Sequence, residues 1–124
     1  MKKGNQLIMT SLLARGATYD EICSNFKWEI PEFYNIADDV CDRWAQDESR
    51  IALVYEDENK KIHNYTFSDI RRYANQLANK FQEWGLKQGD RVSLVLAQDP
   101  ECAIAHVACW KAGMVSGPCS VLFA

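Results

Sequence analysis

Side chains that could act as bases, nucleophiles or metal ligands are few and far apart in this sequence. Its two histidines, His63 and His106, have no Ser, Asp or Cys residue at a spacing typical of a catalytic pair. Histidine exchanges protons near neutral pH, and each one is therefore a candidate base or ligand. Because neither has such a partner, we expect both to be hydrogen-bonded structural residues.

Five cysteines provide thiol groups, but their spacing does not indicate thiol chemistry. They form no CxxC pair and no zinc-binding spacing, and their number is odd. Because their neighbours are apolar, we expect small buried thiols that stay reduced in the cytoplasm. The residues are Cys23, Cys41, Cys102, Cys109 and Cys119.

Glycine-rich loops that bind phosphate are missing as well. The six glycines are too dispersed to form a GxGxxG or Walker-type loop. Gly113 and Gly117 are close in sequence, but they flank a predicted strand, where a helix stop and close packing explain them. The sequence therefore predicts neither a catalytic residue nor a metal site in this chain.

The size and composition of the chain narrow its class. Its 124 residues and 14.2 kDa fit one domain or part of a larger one. With 48% hydrophobic and 25% charged residues, it is not a disordered, collagen-like or coiled-coil chain. A formal charge of −3 at pH 7 disfavours nucleic acid as a partner. No apolar run approaches the roughly 18 residues of a membrane span.

The first residues resemble a targeting peptide only in part. Two lysines precede an apolar stretch at residues 7–14, but Thr10 and Ser11 interrupt it and no clear cleavage site follows. The lack of acidic residues before Asp20 would also suit a transit peptide. We favour a frayed N-terminal helix, and we predict an N-terminal extension at residues 1–17 and a cytoplasmic protein.

Local patterns predict two helices in the first part of the chain. Thr18 and Glu21 have the spacing of a capping box, which predicts a short helix. Pro31 is placed to be the first residue of a second helix with an amphipathic stripe. The stripe is Phe33, Ile36, Ala37, Val40, Cys41, Trp44 and Ala45.

A β-hairpin is predicted next. Residues 51–56 and 62–66 have the composition of strands. The turn at residues 57–61 contains Asn59, which readily adopts a left-handed conformation.

A second amphipathic helix is predicted at residues 68–84. Thr66 is its expected N-cap, and Gly85 supplies the C-terminal stop. Its stripe is Ile70, Tyr73, Ala74, Leu77, Ala78, Phe81 and Trp84.

The last part of the chain predicts a βαβ unit. Residues 92–96 form an apolar run typical of a buried parallel strand. Asp99 and the proline after it begin a helix that is apolar on almost every side over residues 102–112. Gly113 ends this helix, and residues 114–116 begin another strand. The fold class is therefore α/β.

Several of these segments resemble the N-terminal segment of AMP-forming acyl-CoA synthetases, members of the adenylate-forming superfamily. The matching segments are Tyr65-Thr66-Phe67-Ser68-Asp69-Ile70, Ala74-Asn75-Gln76-Leu77-Ala78, Gly85, Gly89-Asp90-Arg91-Val92 and Trp110-Lys111-Ala112-Gly113. Those that resemble the short- and medium-chain branch are Phe26-Lys27-Trp28, Asn35-Ile36-Ala37, Trp44-Ala45, Gln98-Asp99-Pro100-Glu101 and Ser120-Val121-Leu122-Phe123. The resemblance covers residues 18–124 and implies a partial N-terminal domain: helices, a hairpin and the first βαβ unit of a larger sheet.

The resemblance also implies a function for the whole enzyme. It would activate a short- or medium-chain carboxylic acid with ATP and Mg²⁺ to an acyl-adenylate and transfer the acyl group to CoA. The family's phosphate loop, magnesium ligand, ribose-binding aspartate and late lysine do not occur in this chain. We therefore expect the chain alone to be inactive and to bind none of these cofactors. We expect its partner to be the rest of the synthetase, in cis or in trans.

Three residues are implied to lie near the CoA and acyl channel by this resemblance. They are Ser120, Leu122 and Phe123, next to Cys119, which stands where the family usually has an aliphatic residue. The alternative hypothesis is a non-catalytic truncated product that acts as a binding or interaction module.

Overall fold

The computed structural model of the chain describes residues 18–28 and 31–123, and the extension predicted at residues 1–17 lies outside them. The chain divides into two compact units, Met1–Phe33 and Tyr34–Ala124. In the first, helix α1 spans Tyr19–Asn25. Its capping box is confirmed, since the Thr18 hydroxyl accepts the Glu21 N–H at 3.3 Å and the Glu21 carboxylate accepts the Thr18 N–H at 3.3 Å.

The second unit begins with an irregular helical segment where a regular helix was predicted. A π-helix at Asp38–Asp42 is followed by a 3-10 turn at Trp44–Gln46. Pro31 does not begin this helix, so that prediction is wrong. The Asn35 side chain accepts the Ala37 N–H at 2.9 Å, and this hydrogen bond makes Asn35 the better start.

The buried face of this segment is narrower than the predicted stripe. Its buried members, four residues apart, are Ala37, Cys41 and Ala45. Ile36 and Val40 are 44% and 43% exposed, and Phe33 is exposed as well. The Arg43 N–H donates to the Asp38 carbonyl five residues earlier, so this turn is wider than an α-helical turn. Residues four apart then lie on one face, and Ile36 and Val40 lie outside it.

The predicted hairpin is confirmed with both of its strands. Strand β1 is Ile51–Glu56 and β2 is Ile62–Thr66, paired antiparallel with Tyr55 opposite His63. The pairing is irregular between Ile51 and Leu53.

A single carboxylate organises the hairpin turn. Asp57 Oδ1 accepts the N–H groups of Asn59 and Lys61, each at 2.9 Å. Lys60, with φ of 63°, is the left-handed residue. The prediction for Asn59 is wrong because its N–H is engaged by Asp57, which moves the left-handed position one residue on.

Helix α2 spans Phe67–Glu83 and is capped as predicted. The Thr66 hydroxyl accepts the Asp69 N–H at 3.1 Å, and the Asp69 carboxylate accepts the Thr66 N–H at 3.1 Å. The Thr66 N–H and the Thr66 hydroxyl both donate to the Asp69 carboxylate, and together with the Arg72 guanidinium they lower the pKa of Asp69. The helix ends at Gly85, which has φ of 87° as a left-handed stop requires.

The βαβ unit is also confirmed, but its first strand ends at Leu94, and the prediction of a buried strand to residue 96 is wrong because Val95 and Leu96 are exposed. Strand β3 (Arg91–Leu94) and strand β4 (Val115–Pro118) pair in parallel, and helix α3 (Pro100–Lys111) connects them. Gly113 ends α3 with φ of 69°.

Small side chains form much of the core between α2 and α3. Ala74 and Ala78 of α2 and Ala105 and Ala108 of α3 are all buried. Larger buried residues fill the space around them, among them Ile70, Phe81, Leu94, Val107 and Met114. Small residues at a helix interface let the two backbones approach closely.

An ion pair connects the irregular segment to the end of α3. The Lys111 ammonium donates to Asp42 Oδ2, and both side chains are largely buried. The Asn35 side chain also donates to the Lys111 carbonyl at 3.4 Å. Polar contacts therefore support the apolar contacts of Ala37 and Cys41.

The two faces of the β3–β4 pair differ. Leu94 is buried and Val92 half-buried, whereas Arg91, Ser93 and Val115 are exposed. Parallel strands are normally covered on both faces. Among the described residues, only the face that α3 packs on is covered.

We expect Gly113→Ala to destabilise the chain by about 2 kcal/mol. A Cβ at Gly113 would lie 2.9 Å from Gln88 Cγ, and φ of 69° is unfavourable for alanine. Urea unfolding would measure the loss. Gly85→Ala is the matched control, because its φ is also positive but nothing lies within 4 Å.

In this series Gly85→Ala should cost less than Gly113→Ala. Adding Gln88→Ala to Gly113→Ala should restore part of the stability. Equal losses at the two glycines would show that contact with Gln88 is unimportant.

Candidate functional site

The candidate site lies where the two parallel strands end. We call it the carboxyl edge, formed by residues 95–98 after β3 and residues 119–123 after β4. Ligands of open α/β sheets bind beyond the carboxyl ends of the strands. The three residues implied by the resemblance, Ser120, Leu122 and Phe123, all lie in the second of these segments.

A short turn shapes this second segment. The backbone of residues Val121–Phe123 forms a 3-10 turn. The Ser120 hydroxyl accepts the Leu122 N–H at 3.2 Å, so Ser120 is used to form the turn. The structure therefore brings the three residues together in one turn.

The carboxyl edge is apolar and exposed. Leu122 is 88% exposed, and Val95, Leu96 and Val121 are exposed as well. No residue in 95–98 or 119–123 carries a charge. Such a surface suits contact with an alkyl group. Its exposed thiol, Cys119, has no histidine or carboxylate within these two segments that could activate it.

The cysteines do not all follow the prediction of burial. Cys41 and Cys109 are buried and Cys102 is half-buried, but Cys23 and Cys119 are exposed. Cys23 lies on α1, which has no buried residue, and Cys119 lies just beyond β4. Apolar neighbours in sequence therefore did not predict burial for these two residues.

Burial also changes the acidity of two thiols. It raises the pKa of Cys41, to which the Asp42 carboxylate adds, and it raises the pKa of Cys109. Buried thiols of raised pKa are poor nucleophiles. All five cysteines are free thiols.

His106 has a partner that sequence spacing did not reveal. Its Nδ1 lies 3.0 Å from the Ser116 hydroxyl oxygen, which also accepts the Trp110 indole N–H at 3.1 Å. The imidazole and indole centroids are 5.4 Å apart. The expected hydrogen bonding of His106 is confirmed. Its serine partner has no recognisable spacing in the sequence, because it comes into reach only when the βαβ unit returns β4 beside α3.

His63 is hydrogen-bonded as well. Its Nε2 lies 2.9 Å from Asp57 Oδ2, in the hairpin turn. This contact with His63, followed by the Lys61 N–H, lowers the pKa of Asp57. The partner was missed because a hairpin turn brings together two residues whose spacing matches no catalytic motif.

The described residues do not fit the phosphates of a nucleotide. Gly85 and Gly113 end helices and Gly89 lies in a turn, all with positive φ, and none belongs to a phosphate-binding loop. Residues 18–28 and 31–123 contain no group of three or more His, Cys, Asp or Glu placed to hold a metal ion. Within the same residues, no helix is long and apolar enough to cross a membrane.

Comparison with known families gives the decisive observation. The model of the family described as AMP-binding enzyme matches residues 41–124, which include the hairpin, α2, the βαβ unit and the carboxyl edge. The chain belongs to the AMP-binding enzyme family. The resemblance drawn from the sequence is thereby confirmed.

Relatives of this family member are acyl- and acetyl-CoA synthetases. It is 34% identical over 116 residues to the rat protein "Acyl-coenzyme A synthetase ACSM3, mitochondrial", covering 88% of this chain and 20% of the relative. It is 36% identical over 116 residues to the acetyl-coenzyme A synthetase of Bartonella bacilliformis, covering 89% and 17%. The chain thus spans about a fifth of the curated relatives that it matches.

Solved structures agree with the fold of this AMP-binding chain. An acyl-CoA synthetase from Brucella canis superposes with a TM-score of 0.72 at 23% identity, covering 79% of this chain and 20% of the other. The N-terminal subdomain of NpsA from Klebsiella oxytoca matches with a TM-score of 0.61 at 25% identity, covering 71% and 22%. The expected fold class, an N-terminal part of the adenylate-forming synthetase fold, is confirmed.

We expect Ser116→Ala to destabilise the chain by about 1–3 kcal/mol, because the Trp110 N–H and His106 Nδ1 lose their shared partner. Thermal or urea unfolding followed by tryptophan fluorescence would measure it. Ser93→Ala, on the exposed face of the adjacent strand, is the control and should change little. Equal effects of the two substitutions would contradict a role for the hydrogen bonds.

We expect the exposed and the buried cysteines to react at different rates under native conditions. Cys23 and Cys119 should be alkylated rapidly, whereas the buried Cys41 and Cys109 should react slowly. Peptide mass spectrometry after a short iodoacetamide pulse would measure this. In denaturant without reductant, five adducts should form. Missing adducts in pairs would reveal disulfides and contradict the predicted reducing location.

Proposed function

We propose that this chain is the N-terminal portion of an AMP-forming acid–CoA ligase. The whole enzyme would activate a short- or medium-chain carboxylic acid with ATP and Mg²⁺ and transfer the acyl group from the adenylate to CoA. The observation that carries this proposal is the family match over residues 41–124. The names of the relatives, acyl- and acetyl-CoA synthetases, support the acid–CoA ligase class.

In this proposal the segment contributes scaffold and one wall of a binding channel. The apolar carboxyl edge supports the proposed location of Ser120, Leu122 and Phe123 near the acyl or pantetheine chain. An uncharged, exposed surface fits either chain, because both present alkyl groups. The phosphates and the metal ion would be held by residues outside this chain.

The proposed partner is the rest of the synthetase, joined in cis or bound in trans. The exposed face of the β3–β4 pair supports this, because a parallel sheet is normally covered on both sides. Arg91, Ser93 and Val115 lie on that face. The alternative hypothesis, an interaction module complete in itself, requires this face to be stable in water.

A cytoplasmic location stays a prediction. It was based on the lack of a clear targeting signal in residues 1–17, which lie outside the described residues. The names of the rat and mouse relatives include the word mitochondrial. Microscopy of the tagged protein would test the prediction, and a mitochondrial location would contradict it.

We expect the purified 124-residue chain to catalyse no adenylation. The described glycines form no phosphate loop and the described acidic residues form no metal site. Residues 18–28 and 31–123 therefore offer neither of these means of stabilising charge on the α-phosphate. Carboxylate-dependent exchange of pyrophosphate into ATP would measure the activity, with an intact acyl-CoA synthetase as positive control. Exchange above background by the chain alone would contradict this part of the proposal.

We expect the isolated chain to bind a hydrophobic dye and to self-associate. Its exposed apolar residues on the carboxyl edge and its open strand edges both favour association. Light scattering and dye fluorescence would measure this at several concentrations. A monomer that melts cooperatively and binds no dye would instead favour the interaction module.

A further inference from the structure

Helix α3 begins differently from α1 and α2. Thr18 and Thr66 cap their own helices through their side chains, whereas the Asp99 carboxylate makes no capping hydrogen bond. Asp99 Oδ1 instead accepts the Tyr55 hydroxyl at 2.8 Å. An N-cap carboxylate ordinarily satisfies an N–H of its own helix, so this one serves a contact with a residue 44 positions earlier.

Tyr55 presents its hydroxyl from a well-supported strand. It is half-buried on β1, in register with His63 of β2, and the centroids of the two rings are 6.2 Å apart. His63 is itself held by Asp57. The position of the phenol is therefore set by the hairpin.

Charge strengthens the contact between these two side chains. Asp99 lies at the N-terminus of α3, where a negative charge interacts favourably with the helix dipole. Hydrogen bonds to an ionised acceptor are stronger than neutral ones. The hydrogen bond to Asp99, with burial adding to it, raises the pKa of Tyr55, so the phenol remains a donor at neutral pH.

The contact lies at one end of the loop formed by residues 95–98. At the other end, the Leu94 carbonyl accepts the Cys119 N–H at 3.0 Å. No hydrogen bond in the described part of the chain involves residues 95–98. Val95 is 50% exposed. The position of this loop therefore depends on its two ends.

We propose that Tyr55 is a positioning residue whose hydrogen bond to Asp99 holds residues 95–98 in place at the carboxyl edge. Without this bond the Asp99 end of the loop is held only by the start of α3, where the Asp99 carbonyl accepts the Cys102 N–H at 3.0 Å. The pairing of β3 with β4 retains the other end. That the loop borders an acyl or pantetheine channel rests on the proposed function. The order of the loop itself does not.

Cleavage of the full 124-residue chain by chymotrypsin after Leu96 tests the proposal, with mass spectrometry to follow that site alone. In Tyr55→Phe and in Asp99→Ala, cleavage after Leu96 should accelerate by roughly tenfold. Asp99→Asn should cleave at a rate between those of the wild type and Asp99→Ala, because its amide oxygen still accepts the phenol hydrogen bond but carries no charge.

Tyr65→Phe is the matched control, because Tyr65 is another half-buried tyrosine of the hairpin and its removal leaves the Tyr55–Asp99 pair intact. Wild-type cleavage in Tyr55→Phe would overturn the proposal. Equal acceleration in all four variants would do so too, since that pattern indicates general loosening. Urea midpoints of the same samples identify such loosening.

A second readout separates the hydrogen bond from general packing. The pKa of Tyr55 can be followed by NMR titration of ¹³C-labelled tyrosine. It should move toward its ordinary value in Asp99→Ala and stay unchanged in the control Tyr65→Phe. An unmoved Tyr55 titration in Asp99→Ala would contradict the contact. Both readouts concern the loop in this chain, so a failure to find synthetase activity in the whole protein would leave them standing.

Discussion

Close packing of α2 against α3 is the constraint on which the rest of the structure depends. Four buried alanines, Ala74 and Ala78 of α2 and Ala105 and Ala108 of α3, belong to one core, and side chains this small let two helices approach closely. Their small volume contributes little hydrophobic free energy individually, so the stability of the pair depends on filling the surrounding space with Ile70 and Phe81. A larger side chain at any of these alanines would separate the helices.

The position of α3 determines where the carboxyl edge lies. Because α3 packs on α2 and connects β3 to β4, it sets the side of the sheet that is buried and the edge at which both strands end. The Lys111–Asp42 ion pair then fixes the irregular segment against the far end of the same helix. Removing one partner would leave the other charge largely buried and unpaired, which is more costly than removing both.

Most elements were predictable because their signals are local. The capping boxes at Thr18 and Thr66 and the glycine stop at Gly113 depend on residues within one turn of the chain, and each occurs where expected. The candidate residues near Ser120 were found by resemblance to a family, because an apolar turn without charge has no chemical signature of its own. Family resemblance was therefore the stronger guide to the site, and local patterning the stronger guide to the fold.

Three features that the sequence pattern did not reveal depend on long-range contacts or on an irregular turn. His106 finds Ser116 only after α3 and β4 have packed together, and Tyr55 finds Asp99 across 44 residues. The π turn around Cys41 rotated a stripe that regular helical geometry would have buried. In each case a tertiary contact or an irregular turn decided the outcome, and the side-chain pattern alone did not specify it.

The parallel pairing of β3 with β4 has a consequence for the order of folding. The hairpin joins strands separated by a five-residue turn, so it can form as soon as that stretch leaves the ribosome. Leu94 and Pro118, by contrast, pair across the whole of α3, and loop closure over that distance must precede any gain from pairing. During synthesis, the hairpin and α2 would thus act as a preformed platform, and β3 would remain unpaired until β4 emerged.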